Sequence, residues 1–418
     1  MASRVSGSIQ APPSKSDTHR AVVLAALSGG PCRLHRPLLA DDTQATIRGM
    51  AAFGADVTQT GDGLQIAAGP MHAADAPIDA RNSGTTLRFL SGVASLFPGS
   101  TLLTGDGSLR KRPMGPLIDA LERLGARSES VGGDGRPPVR VQGVIRGGRA
   151  FVPGFISSQF LSSLLIASPL AANPSEIRVV PPIRSGPYVS MTRRAMCAFG
   201  VEVGATENTY RIEGGQAYTP TDVDIPGDFS SAAFPLVAAA ITDGDVTVEG
   251  LDADSSDGDG RIVDLLRDFG ARVDTSPNRV RVRSGELVGR SVDVADTPDL
   301  FPVLAVLATQ ADGETRFVHG EQLPLKESDR IAATVSMLRR LGGDAKPTPD
   351  GCVVHGPGRL HGGFIDARGD HRMLMAAAVA GLAAGEPLDI SDPWCFQVSY
   401  PSFLDDMRAL GALHAVVG

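Results

Sequence analysis

The stretch SKSDTHR, Ser14 to Arg20, puts Lys15, His19 and Arg20 directly before the apolar run AVVLAALSGG. A helix opening there has free backbone N–H groups and the positive end of its dipole, so a cation is unfavourable unless an anion sits beside it. The same combination recurs in ARNSGTTLR, with Gly84 and Arg88, and in ARGDHRM, with Asp370 and Arg372. Three further loops before apolar runs are GFISSQF, with Ser157, Ser158 and Gln159, IPGDFSS, and VADTPDL, with Asp299. Small residues with Lys or Arg at helix starts suit carboxylate or phosphate, Arg by bidentate contact and Lys as a point charge.

A second set of loops precedes amphipathic runs: GDGSLRKRPM, with Arg112, PPIRSGPY, with Ser185, and LPLKESDR, with Lys326, Glu327 and Arg330. Lys326 and Arg330 are four apart, which predicts a shared helix face with Glu327 beside them. Asp299 and Asp370 each stand where a helix N-cap is expected, and a carboxylate among cations can also act as a general base at a hydroxyl. No G-x-x-x-x-G-K-[ST] or strand-linked G-x-G-x-x-G occurs, and no His cluster suits a metal. The chemistry expected is binding of small polyanions with acid–base groups at hand, without metal, nucleotide or other cofactor.

The elements that must position these loops repeat six times. An amphipathic helical pattern ending in Gly, then a two-strand hairpin pattern, recurs at Gly54, Gly125, Gly200, Gly270, Gly342 and Gly411, 69 to 75 residues apart. In step with it comes a short strand followed by a helix with no polar face, which must be enclosed by protein. The unit is β-α-β-α-β-β. The sixth copy ends at ALHAVVG, and the N-terminal RVSGSIQAP is expected to supply its missing strand. Two α/β domains of three repeats each follow, 14–226 and 1–13 with 227–418, crossed by linkers near Pro12–Pro13 and Pro226–Gly227.

The 418 residues exceed one ordinary core, which fits two domains. A formal net charge of −8 disfavours nucleic acid as a partner and makes any anion site local. The four cysteines (Cys32, Cys197, Cys352, Cys395) show no metal or CxxC spacing and are expected as buried free thiols in a reducing compartment. No apolar run is long enough to span a membrane, and the N-terminal MASRVSGSIQ has no apolar core long enough for a signal peptide, so a cytoplasmic protein is expected.

In order along the chain, SKSxxxR, NSGTTLR, LTGDxxLRKRPM, SSQFL, SxPY, Asp299, KESDR and DHRM resemble the motifs of the 5-enolpyruvylshikimate-3-phosphate synthase family. The resemblance covers the whole length. It implies an inside-out α/β barrel in each domain, with helices buried, and a monomer with no partner beyond its two small-molecule substrates. It also implies transfer of the enolpyruvyl group of phosphoenolpyruvate to the 5-hydroxyl of shikimate 3-phosphate in an interdomain cleft, through a tetrahedral intermediate. Carried over by position, Lys15, Ser16, Arg20, Ser157, Ser158, Gln159, Ser185, Asp299, Gln322 and Lys326 bind shikimate 3-phosphate. Lys15, Gly84, Arg112, Gln159, Arg330 and Arg372 surround phosphoenolpyruvate. Asp299, Glu327 and Lys15 are the implied proton-transfer groups.

Four positions depart from the family pattern. Val398 stands where many members carry Lys, Pro324 where relatives show Arg, Gln322 where they carry Asn, and Phe89 where Pro often follows the TxxR element. The sister enzymes acting on UDP-N-acetylglucosamine share the architecture but carry a Cys in the loop corresponding to GDGSLRKRP; no Cys lies between Cys32 and Cys197. A repeat scaffold that binds phosphorylated metabolites without turnover is the non-enzymatic alternative.

Overall fold

The computed structural model describes residues 4–252 and 258–413. The chain forms two compact units, one of Pro13–Ile225 and one of the segment up to Pro12 together with Pro226 onward. Each has its own apolar core.

In chain order the first repeat is β1 (Ser6–Gln10), α1 (Lys15–Leu27), β2 (Cys32–His35), α2 (Asp41–Ala52), β3 (Asp56–Thr60) and β4 (Gly63–Ala67). The second is β5 (Ile78–Asp79), α3 (Gly84–Ala94), β6 (Ser100–Thr104), α4 (Gly115–Arg123), β7 (Arg127–Ser130) and β8 (Val139–Gln142). The third is β9 (Gly148–Pro153), α5 (Ser158–Ala167), β10 (Ser175–Val180), α6 (Gly186–Ala198), β11 (Gly204–Thr206) and β12 (Thr209–Ile212). The fourth, β13 (Val223–Asp224), α7 (Phe229–Ile241), β14 (Asp245–Glu249), α8 (Ile262–Phe269), β15 (Arg272–Ser276) and β16 (Arg279–Arg283), begins the second set of three. The fifth is β17 (Ser291–Asp293), α9 (Phe301–Ala308), β18 (Gly313–Val318), α10 (Arg330–Arg340), β19 (Asp344–Thr348) and β20 (Gly351–Gly356). The sixth has β21 (Gly363–Ile365), α11 (His371–Ala383), β22 (Leu388–Ile390) and α12 (Phe403–Ala409).

The odd-numbered helices are the apolar ones, and they are buried on all sides. In α7 every residue but Ile241 is buried. The even-numbered helices bury one stripe, as Ile262, Leu265, Leu266 and Phe269 do in α8. All six glycines that close the even helices have positive φ, from 83° at Gly200 to 108° at Gly125. That conformation ends the helix and turns the chain into the hairpin, at a low cost only for Gly.

Sheet pairing corrects the expectation for the N-terminus. β1 does not complete the sixth repeat: it pairs in parallel with β14, in the order β1-β14-β16-β15, from Ser6↔Asp245 to Gln10↔Glu249. Its counterpart β13 pairs in parallel with β2, in the order β13-β2-β4-β3. The first and fourth repeats have thus exchanged their opening strands. β21 and β22 form a two-stranded sheet. The strand motif of RVSGSIQAP fits any of these parallel positions, and buried Val5 and Ile9, packed in the core with Val246 and Val248, decide among them. Ser6 N–H also donates to the Leu410 carbonyl (2.8 Å), so the N-terminal strand and α12 are neighbours.

Cys197 is exposed on α6, against the expectation of four buried thiols; Cys32 and Cys352 are buried and Cys395 is half-buried. No helix among the described residues is long and apolar enough to cross a membrane.

Candidate active site

In the Pro13–Ile225 unit the first turns of α1, α3 and α5 are tied together by polar side chains. Ser14 caps α1 by accepting from Asp17 N–H (3.2 Å). Lys15 Nζ lies 3.1 Å from Asp42 Oδ2, and both side chains are largely enclosed. A carboxylate of the chain itself therefore balances the cation at this helix start. Arg20 turns inward and is buried. Its Nε donates to Thr192 Oγ1 (2.9 Å), Nη1 to the Ser16 carbonyl (2.8 Å) and Nη2 to the Tyr188 carbonyl (2.9 Å). Its guanidinium lies over the ring of Phe89, 5.4 Å from the centroid. The residue that departs from the family pattern is thus a platform for Arg20.

Gly84, the first residue of α3, sits where two guanidinium groups converge. A Cβ there would stand 3.1 Å from both Arg88 Nη1 and Arg112 Nη1. Arg112 donates from Nη2 to Asn82 Oδ1 (2.7 Å), and Asn82 donates in turn to Asp106 Oδ2 (2.7 Å). Arg88 donates from Nη1 to Gln159 Oε1 and to Ser157 Oγ (3.3 Å), and lies over Phe160. Gln159 donates from Nε2 to Thr85 Oγ1 (2.8 Å), and Ser157 caps α5 through Gln159 N–H. Ser158 opens α5. Ser185 opens α6 with φ 59°, ψ 36°, a left-handed conformation that strains a residue other than Gly.

In the unit from Pro226 onward the site residues surround Arg330, whose side chain is 1% exposed. Nη1 meets Asp299 Oδ1 at 2.6 Å, Nη2 meets Glu327 Oε2 at 2.7 Å, and Nε meets Asp370 Oδ2 at 3.0 Å. Burial opposes the charge of Arg330, and the carboxylates of Asp370, Glu327 and Asp299 outweigh it, holding the guanidinium well above its ordinary pKa. Arg372 Nη2 lies 3.3 Å from Asp299 Oδ2. Its Nη1 and Nη2 also donate to the carbonyl (2.7 Å) and Oγ (2.6 Å) of Ser230, which itself donates to Asp228 Oδ1 (2.6 Å). Asp370 caps α11 through Arg372 N–H (2.9 Å) and accepts from Ser328 Oγ (2.9 Å).

Two local expectations are corrected here. The KESDR stretch is not a helix face: Asp329 caps α10 through Ala332 N–H (3.0 Å), so the helix begins at Arg330 and Lys326 stands in extended backbone before it. The Glu327–Arg330 pair survives because the bend itself brings the two side chains together. Asp299 is not an N-cap either, since α9 begins at Phe301 after Leu300, whereas Asp370 is one. Gln322 is 2% exposed and donates from Nε2 to the carbonyls of Val294 (3.3 Å) and Ala295 (3.1 Å), so its amide braces the end of β17. Sequence reasoning missed Asp42, Asn82 and Ser230 as partners of site cations, and named Arg88 as a candidate anion-binding cation without giving it a substrate. Asp42 looks like an ordinary acidic residue of a first helical turn, and only its position against α1 distinguishes it.

The chain matches the family model described as EPSP synthase (3-phosphoshikimate 1-carboxyvinyltransferase) over residues 1–407. The chain belongs to the EPSP synthase family. Among its relatives, the 3-phosphoshikimate 1-carboxyvinyltransferase of Methanocorpusculum labreanum is 45% identical over 413 residues, covering 98% of this chain and 97% of that protein. The protein of the same name from Methanothrix thermoacetophila is 46% identical over 415 residues, with the same coverage. A solved EPSP synthase from Acinetobacter baumannii is 28% identical with a TM-score of 0.82, covering 99% of this chain and 97% of that one. Family membership makes the chain an enzyme of the transferase class, and the two-domain α/β architecture is the family's own.

Proposed function

We propose that this chain moves the enolpyruvyl group of phosphoenolpyruvate onto the 5-hydroxyl of shikimate 3-phosphate and releases phosphate, using both polar clusters. Lys15, Ser16, Ser157, Ser158, Gln159, Ser185 and Lys326 hold shikimate 3-phosphate. Arg20 serves the same site from behind, fixing the Ser16 carbonyl and the Tyr188 turn next to Ser185. Gly84, Arg112, Gln159, Arg330 and Arg372, with Lys15, hold phosphoenolpyruvate. Both substrates carry a phosphate and a carboxylate. Bringing two unit charges of one sign to 4 Å costs about 4 kcal/mol at an effective dielectric of about 20, which the cations offset.

Asp299 takes the proton of the 5-hydroxyl as its oxygen attacks C2 of phosphoenolpyruvate, and Glu327 delivers a proton to the methylene C3. The tetrahedral intermediate then loses phosphate. Glu327 takes one proton back from the new methyl group, leaving the enolpyruvyl ether. Both carboxylates rest on Arg330. An incoming substrate carboxylate therefore exchanges with them at this guanidinium and frees them for proton transfer.

The observation behind this assignment is the buried Arg330 holding Asp299 and Glu327, with Arg372 alongside, in a chain that matches its family from end to end. Incubation with both substrates, followed by assay of inorganic phosphate, tests it. Phosphate should appear only when both are present, one for each phosphoenolpyruvate consumed. No release, or release without shikimate 3-phosphate, refutes it.

A further inference from the structure

Between α1 and α3 lies a chain of buried polar groups that the reaction itself does not use. His19 is fully buried, one turn after Lys15 on α1. Its Nδ1 lies 2.7 Å from Thr46 Oγ1 on α2. Thr46 Oγ1 lies 2.7 Å from Thr86 Oγ1 on α3, and Thr86 Oγ1 lies 2.7 Å from Ser83 Oγ and 3.1 Å from the Asp42 carbonyl. Thr46, Thr86 and Ser83 are all fully buried. The far end of the chain is the cap of α3, one residue before Gly84. The carbonyl it reaches belongs to Asp42, whose carboxylate holds Lys15.

We propose that His19 is a positioning residue which, through Nδ1–H and the hydroxyls of Thr46, Thr86 and Ser83, sets the spacing between Lys15 and Gly84. The direction of the chain follows from its acceptors. The Asp42 carbonyl can only accept, and Ser83 Oγ also receives the Thr86 N–H (3.1 Å). A Thr86 hydroxyl that donates to either must itself accept from Thr46, and Thr46 must then accept from His19 Nδ1–H. That polarity leaves Nε2, which has no partner among the described residues, as a bare lone pair rather than a buried unpaired N–H. Burial, with the charges of Lys15 and Arg20, keeps the ring neutral by pushing its pKa well below the usual 6.5. Four hydrogen-bonding groups from three helices thus fix one register, and a methyl group in place of any hydroxyl breaks it.

The inference rests on the substrate assignment above, in which Lys15 and Gly84 hold phosphoenolpyruvate. Thr46→Val and His19→Leu should raise KM for phosphoenolpyruvate at least fivefold with kcat within threefold of wild type. Thr46→Ser should restore KM to within twofold. In the unmodified enzyme, nitrogen-15 NMR of the imidazole should show Nδ1 protonated and Nε2 bare at pH 7. An Nε2–H tautomer or an imidazolium overturns the proposal even if the variants fail to fold. So does an unchanged KM in Thr46→Val. Lys15→Met separates the two levels: if it leaves KM for phosphoenolpyruvate normal, the substrate assignment fails and the inference with it. If it raises KM while Thr46→Val does not, the inference alone fails.

Discussion

At the scale of single residues, three cations of the site are matched by carboxylates supplied by the chain. Lys15 rests on Asp42, and Arg330 and Arg372 on Asp299, Glu327 and Asp370. A buried cation without a partner would be strongly unfavourable, so these pairs offset the cost of burying the charges. Asp299→Asn should lower kcat by at least about 10²-fold, the usual size of a lost general base, with shikimate 3-phosphate binding mostly intact in calorimetry; near-normal phosphate release would refute its role. Gly84→Ala places a methyl 3.1 Å from two guanidinium nitrogens, so Arg88 or Arg112 must give way by a few tenths of an ångström. KM for phosphoenolpyruvate should rise roughly tenfold, about 1.4 kcal/mol, in steady-state kinetics, with circular dichroism unchanged. His19 supplies a pH prediction whose sign can be worked out. Its folded pKa is lowered, so between that value and about 6.5 the unfolded chain binds more protons, and stability rises with pH through that window. Acidifying below about pH 6.5 should cost up to about 1.4 kcal/mol per pH unit from this one group, a slope that His19→Asn should remove from denaturant midpoints measured across the window.

Among the secondary-structure elements, the division between odd and even helices organises the molecule. The odd helices were legible because hydrophobic residues on all sides leave no face for water. The even helices were legible from the stripe and the closing Gly. Helix starts were less so: Asp299 and Asp370 look alike in sequence, yet Asp370 caps α11 and Asp299 binds two guanidinium groups instead. A cap depends on two or three dihedral angles that sequence leaves open, and the loop carrying Asp299 settles into a turn that delays α9 by one residue, with Leu300 at the cap position. The closing glycines give the test at this level. In Gly270→Ala, φ of 102° would strain any L-residue, and the new Cβ would press on the Glu286 carbonyl oxygen. A loss of about 1–3 kcal/mol is expected, seen as a fall of several degrees in the melting transition; an unchanged Tm would show that the hairpin adapts freely.

For the molecule as a whole, the exchange of opening strands is the decisive feature. β1 belongs to the sheet of β14, and β13 to the sheet of β2, so the first and fourth repeats each carry the other's opening strand. A chain beginning at Ala11 should lose hydrogen-exchange protection at β14, where Val5 and Ile9 no longer fill the core, while β2 and β4 stay protected. Unchanged protection at β14 would mean that β1 adds nothing there. The sequence alone determined the six repeats, the two kinds of helix, and the anion chemistry of the loops, because hydropathy period, capping and charge act over a few residues. Tertiary structure alone decided which sheet β1 joins, that Arg20 reaches Thr192 on α6, and that Asp299 and Glu327 share Arg330. Those partners lie far apart along the chain or across a bend, and what joins them is the packing of buried side chains, a cooperative property that no local stretch contains.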